Sequence, residues 1–364
     1  LVSVSASYTR SVNIERDSQS GSSSLNYIPT SRALRTLSTL TNRFDASDQP
    51  RAWSLVGPYG SGKSSFALFL SQLLSDPKSE KSVAARQLLA KYEPDLVKAV
   101  NEQTKGTDGY LEVLISGTPE RLSMRYLAGL QEAMTNYWQG RKGKKPLVIA
   151  NLNSFLKAGE VSISELLDLT KDCQATLSKV GCPGIMIVFD EFGKFLEFES
   201  RSLGVNDVFL LQALAEQAHA HHPTQIMVFV LLHQSIEQYA RGVGESLKNE
   251  WAKIQGRFEE IPFLESSEQT LRVVKAAISH KDFADELKQN ISKDLQAIIS
   301  VLSQEGVLPP SLHKDEALEL FMGLYPLHPL SAMILPQLCQ LISQNERTLF
   351  SYLGSREQSG FKDM

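Results

Sequence analysis

The sequence contains few cysteines, no long apolar run and no large excess of charge of either sign. Its three cysteines, Cys173, Cys182 and Cys339, form no close pair and match no metal-ligand spacing, which argues against a disulfide framework or a zinc site and favours a reducing cytosol. The longest purely apolar run, at 226–232, is far shorter than the ~20 residues of a membrane-spanning helix, and the first ten residues contain no secretory signal. These absences predict a cytoplasmic protein without a membrane partner.

The charges nearly cancel, because 37 Lys and Arg stand against 41 Asp and Glu, for a formal net charge of -4. This balance argues against a polybasic protein whose whole surface binds nucleic acid. A basic loop remains at residues 141–145. DNA is a possible partner of that loop, although isolated charge runs are more often simply solvated.

The 364 residues, of which 42% are hydrophobic, are enough for two or three domains with sizeable cores. Residues 1–26 include the serine-rich run 18–24 and are predicted to form a flexible segment. The chain begins at Leu1 rather than at methionine and ends in a polar tail, so a fragment of a longer protein is one interpretation.

Residues 27–264 show apolar strand patterns that alternate with helical patterns, which predicts a three-layer α/β/α domain around a parallel sheet, with a helical insertion near 78–108. After residue 263 only helical patterns occur, so residues 265–364 are predicted to form an all-α lid domain. The predicted strands lie at 52–56, 111–115, 185–190 and 226–232, with a fifth short strand after Arg257.

Residues 57–64, Gly-Pro-Tyr-Gly-Ser-Gly-Lys-Ser, match the P-loop pattern G-x-x-x-x-G-K-[ST], or Walker A, between a predicted strand and a predicted helix. Glycines let successive amides converge on phosphate oxygens, and the helix N-terminus adds partial positive charge. Lys63 is expected to neutralise the β- and γ-phosphates, and Ser64 to bind Mg²⁺. A chance glycine-rich turn is the weaker interpretation. The predicted nucleotide-binding residues are Gly57, Pro58, Tyr59, Gly60, Ser61, Gly62, Lys63, Ser64 and Ser65.

A second motif is the apolar strand that ends in Asp190 and Glu191, the arrangement called Walker B. Beside a P-loop, Asp190 is expected to hold Mg²⁺ and Glu191 to polarise an attacking water. The alternative is a strand that exits into solvated acids. The GTP-reading motif N-K-x-D is absent, since residues 151–154 fail to match it, and ATP is therefore inferred.

One further residue follows the fourth strand, and another precedes the fifth. His233 stands at the polar end of the fourth strand, where it is either a sensor of the γ-phosphate or a histidine packed at a strand end. Arg257 stands just before the fifth strand, where it either reaches the γ-phosphate of a neighbouring subunit or is a surface arginine paired with Glu259 or Glu260.

Together these motifs resemble the AAA+ class of ASCE P-loop ATPases, and the segment from Arg257 to the fifth strand resembles the origin-recognition and archaeal-ATPase branch. The resemblance implies that the segment before the first helix packs on adenine, which here is Tyr27, Ile28 and Pro29. Two departures stand out. Around 110 residues separate the P-loop helix from the acidic strand, and the lid contains no Gly-Ala-Arg sensor-two motif.

A closer resemblance concerns residues 10–17, 190–197, 325–330 and 344–350, which are similar to the N-terminal modules of large bacterial ATP-binding proteins in phage-defence islands, of the BREX PglY/BrxC sort. This resemblance implies self-association or other defence-system proteins as partners. The His328-Pro329 pair looks like a lid proline motif of STAND and archaeal ATPases, in which His328 is either a nucleotide sensor or a helix-packing residue.

These motifs favour one function over two others. The leading one is a Mg²⁺-dependent ATP hydrolase that drives rearrangement of a larger anti-phage or DNA-handling assembly, with Lys63 and Glu191 as its catalytic groups, assisted by His233 and Arg257. The alternative is a STAND-type switch that binds ATP or ADP and turns over slowly. A P-loop kinase needs a cluster of phosphate-binding arginines in the lid, and the sequence has none.

Overall fold

A computed structural model of the protein describes residues 2–4, 12–19, 27–44, 51–139, 141, 144–202, 207–241, 244–280, 285–309, 312–342 and 352–353. These residues form two compact units. The larger one is built within residues 12–58 and 62–263, and the smaller one within residues 1–11, 59–61 and 264–364.

The strands form two sheets. In chain order they are β1 (Val2–Val4), β2 (Ala52–Val56), β3 (Leu111–Ser116), β4 (Gly184–Asp190), β5 (Gln225–Leu232), β6 (Glu259–Pro262) and β7 (Ile278–His280). The five strands of the larger unit have the order β3-β4-β5-β2-β6, and every neighbouring pair is parallel. The predicted parallel sheet is confirmed. The P-loop strand β2 and the acidic strand β4 are not neighbours, because β5 lies between them.

Helices surround this sheet and make up most of the smaller unit. In chain order they are α1 (Ile14–Ser18), α2 (Ser31–Thr41), α3 (Lys63–Leu74), α4 (Glu80–Ala90), α5 (Pro94–Thr104), α6 (Leu122–Tyr137), α7 (Leu147–Ala158), α8 (Ile163–Ser178), α9 (Gly193–Arg201), α10 (Phe209–His219), α11 (Ile236–Tyr239), α12 (Glu245–Gln255), α13 (Ser267–Ala277), α14 (Asp285–Gln304), α15 (Lys314–Leu324) and α16 (Pro329–Ile342). The sequence patterns had not indicated α7, α9, α11 or α12.

The central strands are apolar throughout because both faces of the sheet are covered. On β4, Ile185, Ile187 and Phe189 pack with the layer that contains α6, α8 and α10. The alternate residues Met186 and Val188 pack with the layer that contains α2, α3 and α4. Each of these buried side chains contributes about 1.5–3 kcal/mol relative to an exposed one. The sheet is therefore a rigid base for the loops at its carboxyl edge.

Residues 78–108, which were predicted to form a helical insertion, contain α4 and α5, and these helices follow the P-loop helix α3 in the chain. Lys81 on α4 donates to the carboxylate of Glu112 on β3 at 3.0 Å, and both side chains are largely buried. This ion pair links the insertion to the edge strand of the sheet.

The smaller unit contains α13 to α16 around a core of its own, formed by Leu271, Val274, Leu295, Ile299 and Phe321 among others. The predicted helical C-terminal part is confirmed. In addition, β1 and β7 pair antiparallel in this unit, a ladder that the helical patterns did not indicate. Within the described ranges no single helix is long and apolar enough to cross a membrane, although α15 and the first part of α16, bent by 73°, reach that length and composition together.

The interpretation of residues 1–26 as one flexible segment is wrong for two parts of it. Val2–Val4 form β1, and Ile14 on α1 is 0% exposed in the core of the larger unit. The side chain of Asn13 caps α1 by accepting the backbone N–H of Arg16. Besides Ile14 and the cap, this helix is held by Glu15, which accepts the backbone N–H of Ser116 at 2.6 Å. These contacts with distant residues leave no local signal to outweigh the serine-rich composition beside the helix. Residues 20–26 lie outside the described part of the chain.

Candidate active site

The P-loop leaves β2 at Val56 and enters α3 at Lys63. The amide of Gly57 donates to the carbonyl of Leu232 at 3.1 Å, so the loop starts in register with β5. Gly62 has φ +88°, a left-handed conformation that side chains with a Cβ rarely adopt. Because glycine also brings no side chain to cap α3, the first-turn N–H groups, including those of Ser64 and Ser65, face the loop as donors for an anion.

Lys63 lies at the start of α3 and is only 8% exposed. Its Nζ donates to the carbonyls of Gly57 at 2.6 Å and Pro58 at 2.9 Å. Burial lowers the pKa of Lys63 to about 8, although the nearby charges of Asp190 and Glu191 act in the opposite direction. The lysine is thus folded back onto its own loop, close to the acid pair.

Asp190 ends β4 and is 5% exposed. It accepts the hydroxyl of Ser64 and, at 2.9 Å, the backbone N–H of Glu191. Burial raises the pKa of Asp190 to about 6, and the hydrogen bond from Ser64 opposes that shift. The structure brings the two predicted Mg²⁺ ligands together across the width of β5.

Carboxylate and hydroxyl oxygens are ligands that Mg²⁺ accepts, with waters and phosphate oxygens completing its shell. Ser64 and Asp190 therefore fit that ion. Among the described residues, no group of three or more His, Cys, Asp or Glu side chains is placed to hold a metal of another kind.

Glu191 follows Asp190 with φ +48°, the one positive value among the non-glycine residues that the structure describes. Such a conformation in a residue with a Cβ is strained and is concentrated at functional sites. The half-exposed carboxylate of Glu191 forms an ion pair with Lys194 on α9. The predicted water-orienting group is thus at the edge of the site, held by a lysine three residues further along the chain.

Gly117 is a site residue that the sequence analysis missed. Its amide donates to the carbonyl of Asp190 at 2.8 Å, and a Cβ placed on it would lie 2.3 Å from the carbonyl oxygen of Glu191. A glycine directly after β3 was the available signal, since the carboxyl ends of parallel strands share one edge.

His233 lies half-buried at the carboxyl end of β5, as predicted, and its imidazole contacts the hydroxyl of Tyr239. Burial, and then the nearby charge of Lys63, lower the pKa of His233, while Glu197 and Glu191 act in the opposite direction. Tyr239 carried no signal in the sequence, because nothing in a short helix after a strand marks a tyrosine as a partner of the preceding histidine.

Arg257 forms an ion pair with Glu216 on α10 at 3.2 Å, and both side chains are about half exposed. The predicted pairing of Arg257 with Glu259 or Glu260 is therefore wrong. Glu259 is instead paired with Arg43, and Glu260 accepts from Gln255 at 3.4 Å. The trans role of Arg257 stays a prediction.

The proposed adenine segment lies against the P-loop helix. The ring of Tyr27 packs on Phe69 of α3 with centroids 4.6 Å apart, Ile28 is partly buried and Pro29 is buried. In the smaller unit, His328 is exposed, and its Nδ1 accepts the backbone N–H of Leu330 at 3.3 Å at the start of α16. This contact places His328 at the entry of α16, and both the helix-entry packing role and nucleotide sensing stay predictions.

The basic loop is partly used within the protein. Arg141 donates to Asp108 at 2.6 Å and lies over the ring of Tyr137, 4.4 Å from its centroid. Lys144 and Lys145 are not buried. Contact of this loop with DNA stays a prediction.

No protein-family model matches the chain, and no curated protein matches it. Among solved structures the chain is similar to the Aeropyrum pernix ORC2 protein, determined in ADPNP-ADP complexes, with 12% identity over 86% of this chain and 72% of that one and a TM-score of 0.39. The fold assignment rests on the parallel strand order, the helices on both faces of the sheet and the P-loop between β2 and α3.

Proposed function

We propose that this protein binds ATP with Mg²⁺ and hydrolyses the ATP, as an ATPase of AAA+/ASCE type. The observation that carries the proposal is that Lys63, Ser64 and Asp190 lie together at the carboxyl edge of the sheet. The hydroxyl of Ser64 is hydrogen-bonded to Asp190, and the charge of Asp190 acts on Lys63. A buried ammonium beside a buried carboxylate provides the two charges that a triphosphate and its cation require.

In this proposal the phosphates are bound by the first-turn amides of α3 and by Lys63. The lysine exchanges the carbonyls of Gly57 and Pro58 for phosphate oxygens, which it reaches from the same loop. Ser64 and Asp190 would hold Mg²⁺, which when bound neutralises charge on the β- and γ-phosphates.

Glu191 is the proposed general base. Its carboxylate orients a water and accepts its proton as the water oxygen bonds to the γ-phosphorus and the bond to the bridging oxygen breaks, releasing ADP and phosphate. For this the carboxylate leaves its ion pair with Lys194, which is half exposed and is therefore worth at most about 1 kcal/mol.

The resemblance to phage-defence ATP-binding proteins supports a finer proposal, that the ATPase cycle rearranges a larger anti-phage or DNA-handling assembly through self-association or through other defence proteins. Steady-state hydrolysis measured with and without duplex DNA tests the DNA-handling part. Stimulation by DNA supports it, and equal rates contradict it.

The core proposal is tested with Lys63→Ala and Glu191→Gln. Lys63→Ala is expected to abolish binding of a fluorescent ATP analogue, whereas Glu191→Gln is expected to bind ATP and to lose at least about 100-fold in turnover. The exposed residues Lys171 and Glu237 offer matched controls, Lys171→Ala and Glu237→Gln, which should behave like wild type. Wild-type turnover in Glu191→Gln would show that Glu191 is not the base.

A second candidate is a nucleotide-gated switch with slow turnover, and the observation that favours it is the ion pair that occupies Glu191. Size-exclusion chromatography with ADP and with a non-hydrolysable ATP analogue separates the two candidates. Assembly that depends on the ATP analogue, with negligible hydrolysis, supports the switch. Steady hydrolysis supports the ATPase.

A further inference from the structure

The hydroxyl of Tyr239 lies against the imidazole of His233. Its oxygen is 2.6 Å from Nδ1 and 3.0 Å from Nε2, and the two rings meet edge to face with centroids 5.0 Å apart. Tyr239 is the last residue of α11, the single helical turn that follows β5. This turn brings the side chain of Tyr239 back beside His233, six residues earlier in the sequence.

The same tyrosine touches the segment that carries Glu191. A Cβ on Gly193 would lie 2.0 Å from the hydroxyl oxygen of Tyr239 and 2.4 Å from its Cζ. No side chain fits there, so Tyr239 keeps its place only because residue 193 is glycine. Gly193 begins α9, two residues after Glu191.

His233 is also surrounded by charges of the site. Lys63 from α3, and Glu191 and Glu197 from the acid strand end and α9, all act on its imidazole. The imidazole of His233 therefore interacts electrostatically both with Lys63, which is expected to bind the phosphates, and with Glu191, the proposed general base.

We propose that Tyr239 is a positioning residue, which fixes the orientation of His233 toward the γ-phosphate and ties that orientation to the Glu191 segment through Gly193. This inference rests on the proposed function. The hydroxyl lies within 3.0 Å of both ring nitrogens, so it restrains the tilt of the imidazole without assigning its proton to either nitrogen. The position of the imidazole relative to a phosphate oxygen is then set before nucleotide binds.

The first test is a double-mutant cycle on turnover. Tyr239→Phe removes only the hydroxyl and should lower kcat about tenfold, while the Kd for ATP changes less than about twofold. In a His233→Ala background the same change should have almost no further effect, because the residue that it positions is gone. Losses that multiply in the double variant would overturn the proposal.

A matched control exists in the same unit. Tyr126 is buried on α6, where its ring packs on Phe189 of β4, and its hydroxyl lies 3.1 Å from that of Thr170 on α8. Tyr126→Phe removes an equivalent buried hydroxyl and should leave kcat unchanged. An equal loss of kcat in both variants would mean that Tyr239 contributes packing alone.

The second test does not depend on hydrolysis. Nitrogen chemical shifts of the histidine ring, measured without nucleotide, distinguish the two neutral tautomers. Wild type should show one neutral tautomer of His233, because the Tyr239 hydroxyl holds a single arrangement of the ring, and both Tyr239→Phe and Gly193→Ala should show a mixture. A mixture already present in wild type overturns the positioning role. A single tautomer that is lost in the variants, in a protein that does not hydrolyse ATP, supports the contact and overturns only the proposed ATPase.

Discussion

The carbonyl oxygen of Glu191 occupies the space in which a side chain on Gly117 would begin, 2.3 Å from the position of its Cβ. Gly117 follows β3, and Glu191 follows the neighbouring strand β4, so the contact joins two adjacent strand ends. Glu191 has its positive φ at this point. The backbone of Glu191, the proposed base, can therefore adopt this position only because residue 117, after β3, is glycine.

Gly117→Ala is expected to lower kcat by about 10–100-fold and to change ATP binding much less. The new methyl has to push the Glu191 backbone away by about 1 Å, and a displacement of that size can cost about 100-fold in rate. Gly129→Ala is the control, because its Cβ would press on Ile115 of the same strand from α6 instead, 2.9 Å away. That variant should lose stability but keep its turnover. Equal kcat for Gly117→Ala and wild type would contradict the role of this contact.

A buried carboxyl on α9 predicts pH-dependent stability. Burial raises the pKa of Glu199 to about 7 from an ordinary value of 4.5, while the carboxylate accepts the amide of Val208 at 2.8 Å. Since the pKa is higher in the folded state, this stability is fully present below about pH 4.5 and is lost as pH rises through about 7. Urea unfolding should show wild type losing about 3 kcal/mol over that window relative to Glu199→Gln. Parallel pH curves for the two proteins would contradict the shift.

The ion pair of the insertion gives a third prediction. Lys81→Met leaves Glu112 without its partner in a largely buried place and should lower the free energy of unfolding by about 2–3 kcal/mol. The double variant Lys81→Met/Glu112→Leu should recover most of that loss, because no charge then remains to be desolvated. Lys98→Met is the control, since Lys98 and Asp95 are 77% and 88% exposed and their pair is worth little. Chemical denaturation measures all three.

Substitutions of Arg257 and of its partner Glu216 distinguish a surface role of Arg257 from a catalytic role. Their exposed ion pair is worth less than about 1 kcal/mol, so Arg257→Ala should unfold at nearly the wild-type urea concentration. If the arginine acts in trans, we expect turnover to fall at least about tenfold at protein concentrations that allow self-association. Glu216→Gln, which removes the same ion pair but keeps the arginine, should keep its turnover. Unchanged hydrolysis in Arg257→Ala would leave Arg257 as a surface residue.

Local patterns predicted the parts of the site that lie next to each other in the sequence. The P-loop and the acid pair follow apolar strands, and buried strands of a parallel sheet are apolar on both faces, so both motifs could be located without coordinates. The order in which the strands assemble then brought Ser64 to Asp190. That order depends on which helices cover which face, and no short segment contains this information.

Residues that act through distant partners were missed for the same reason. Gly117 and Gly193 are ordinary glycines in the sequence, and only the fold shows that Glu191 and Tyr239 leave no room for a Cβ beside them. The partner of Arg257 was predicted among its neighbours in the sequence, but in the fold Arg257 pairs with Glu216. Glu259 pairs with Arg43 instead. Side-chain pairing over such separations follows from packing rather than from composition.

Under the proposed function, the contacts of Lys63 also influence how tightly nucleotide would bind. Its ammonium already has two acceptors, the carbonyls of Gly57 and Pro58, so arriving phosphate displaces an internal substitute. The binding free energy of the nucleotide would then reflect the difference between two arrangements in which the ammonium of Lys63 has its hydrogen bonds. Substitutions in the loop that weaken the hydrogen bonds from Lys63 to the carbonyls of Gly57 and Pro58 should therefore increase the affinity for nucleotide, although the substituted residue does not contact the nucleotide. Substitutions that strengthen these hydrogen bonds should lower that affinity.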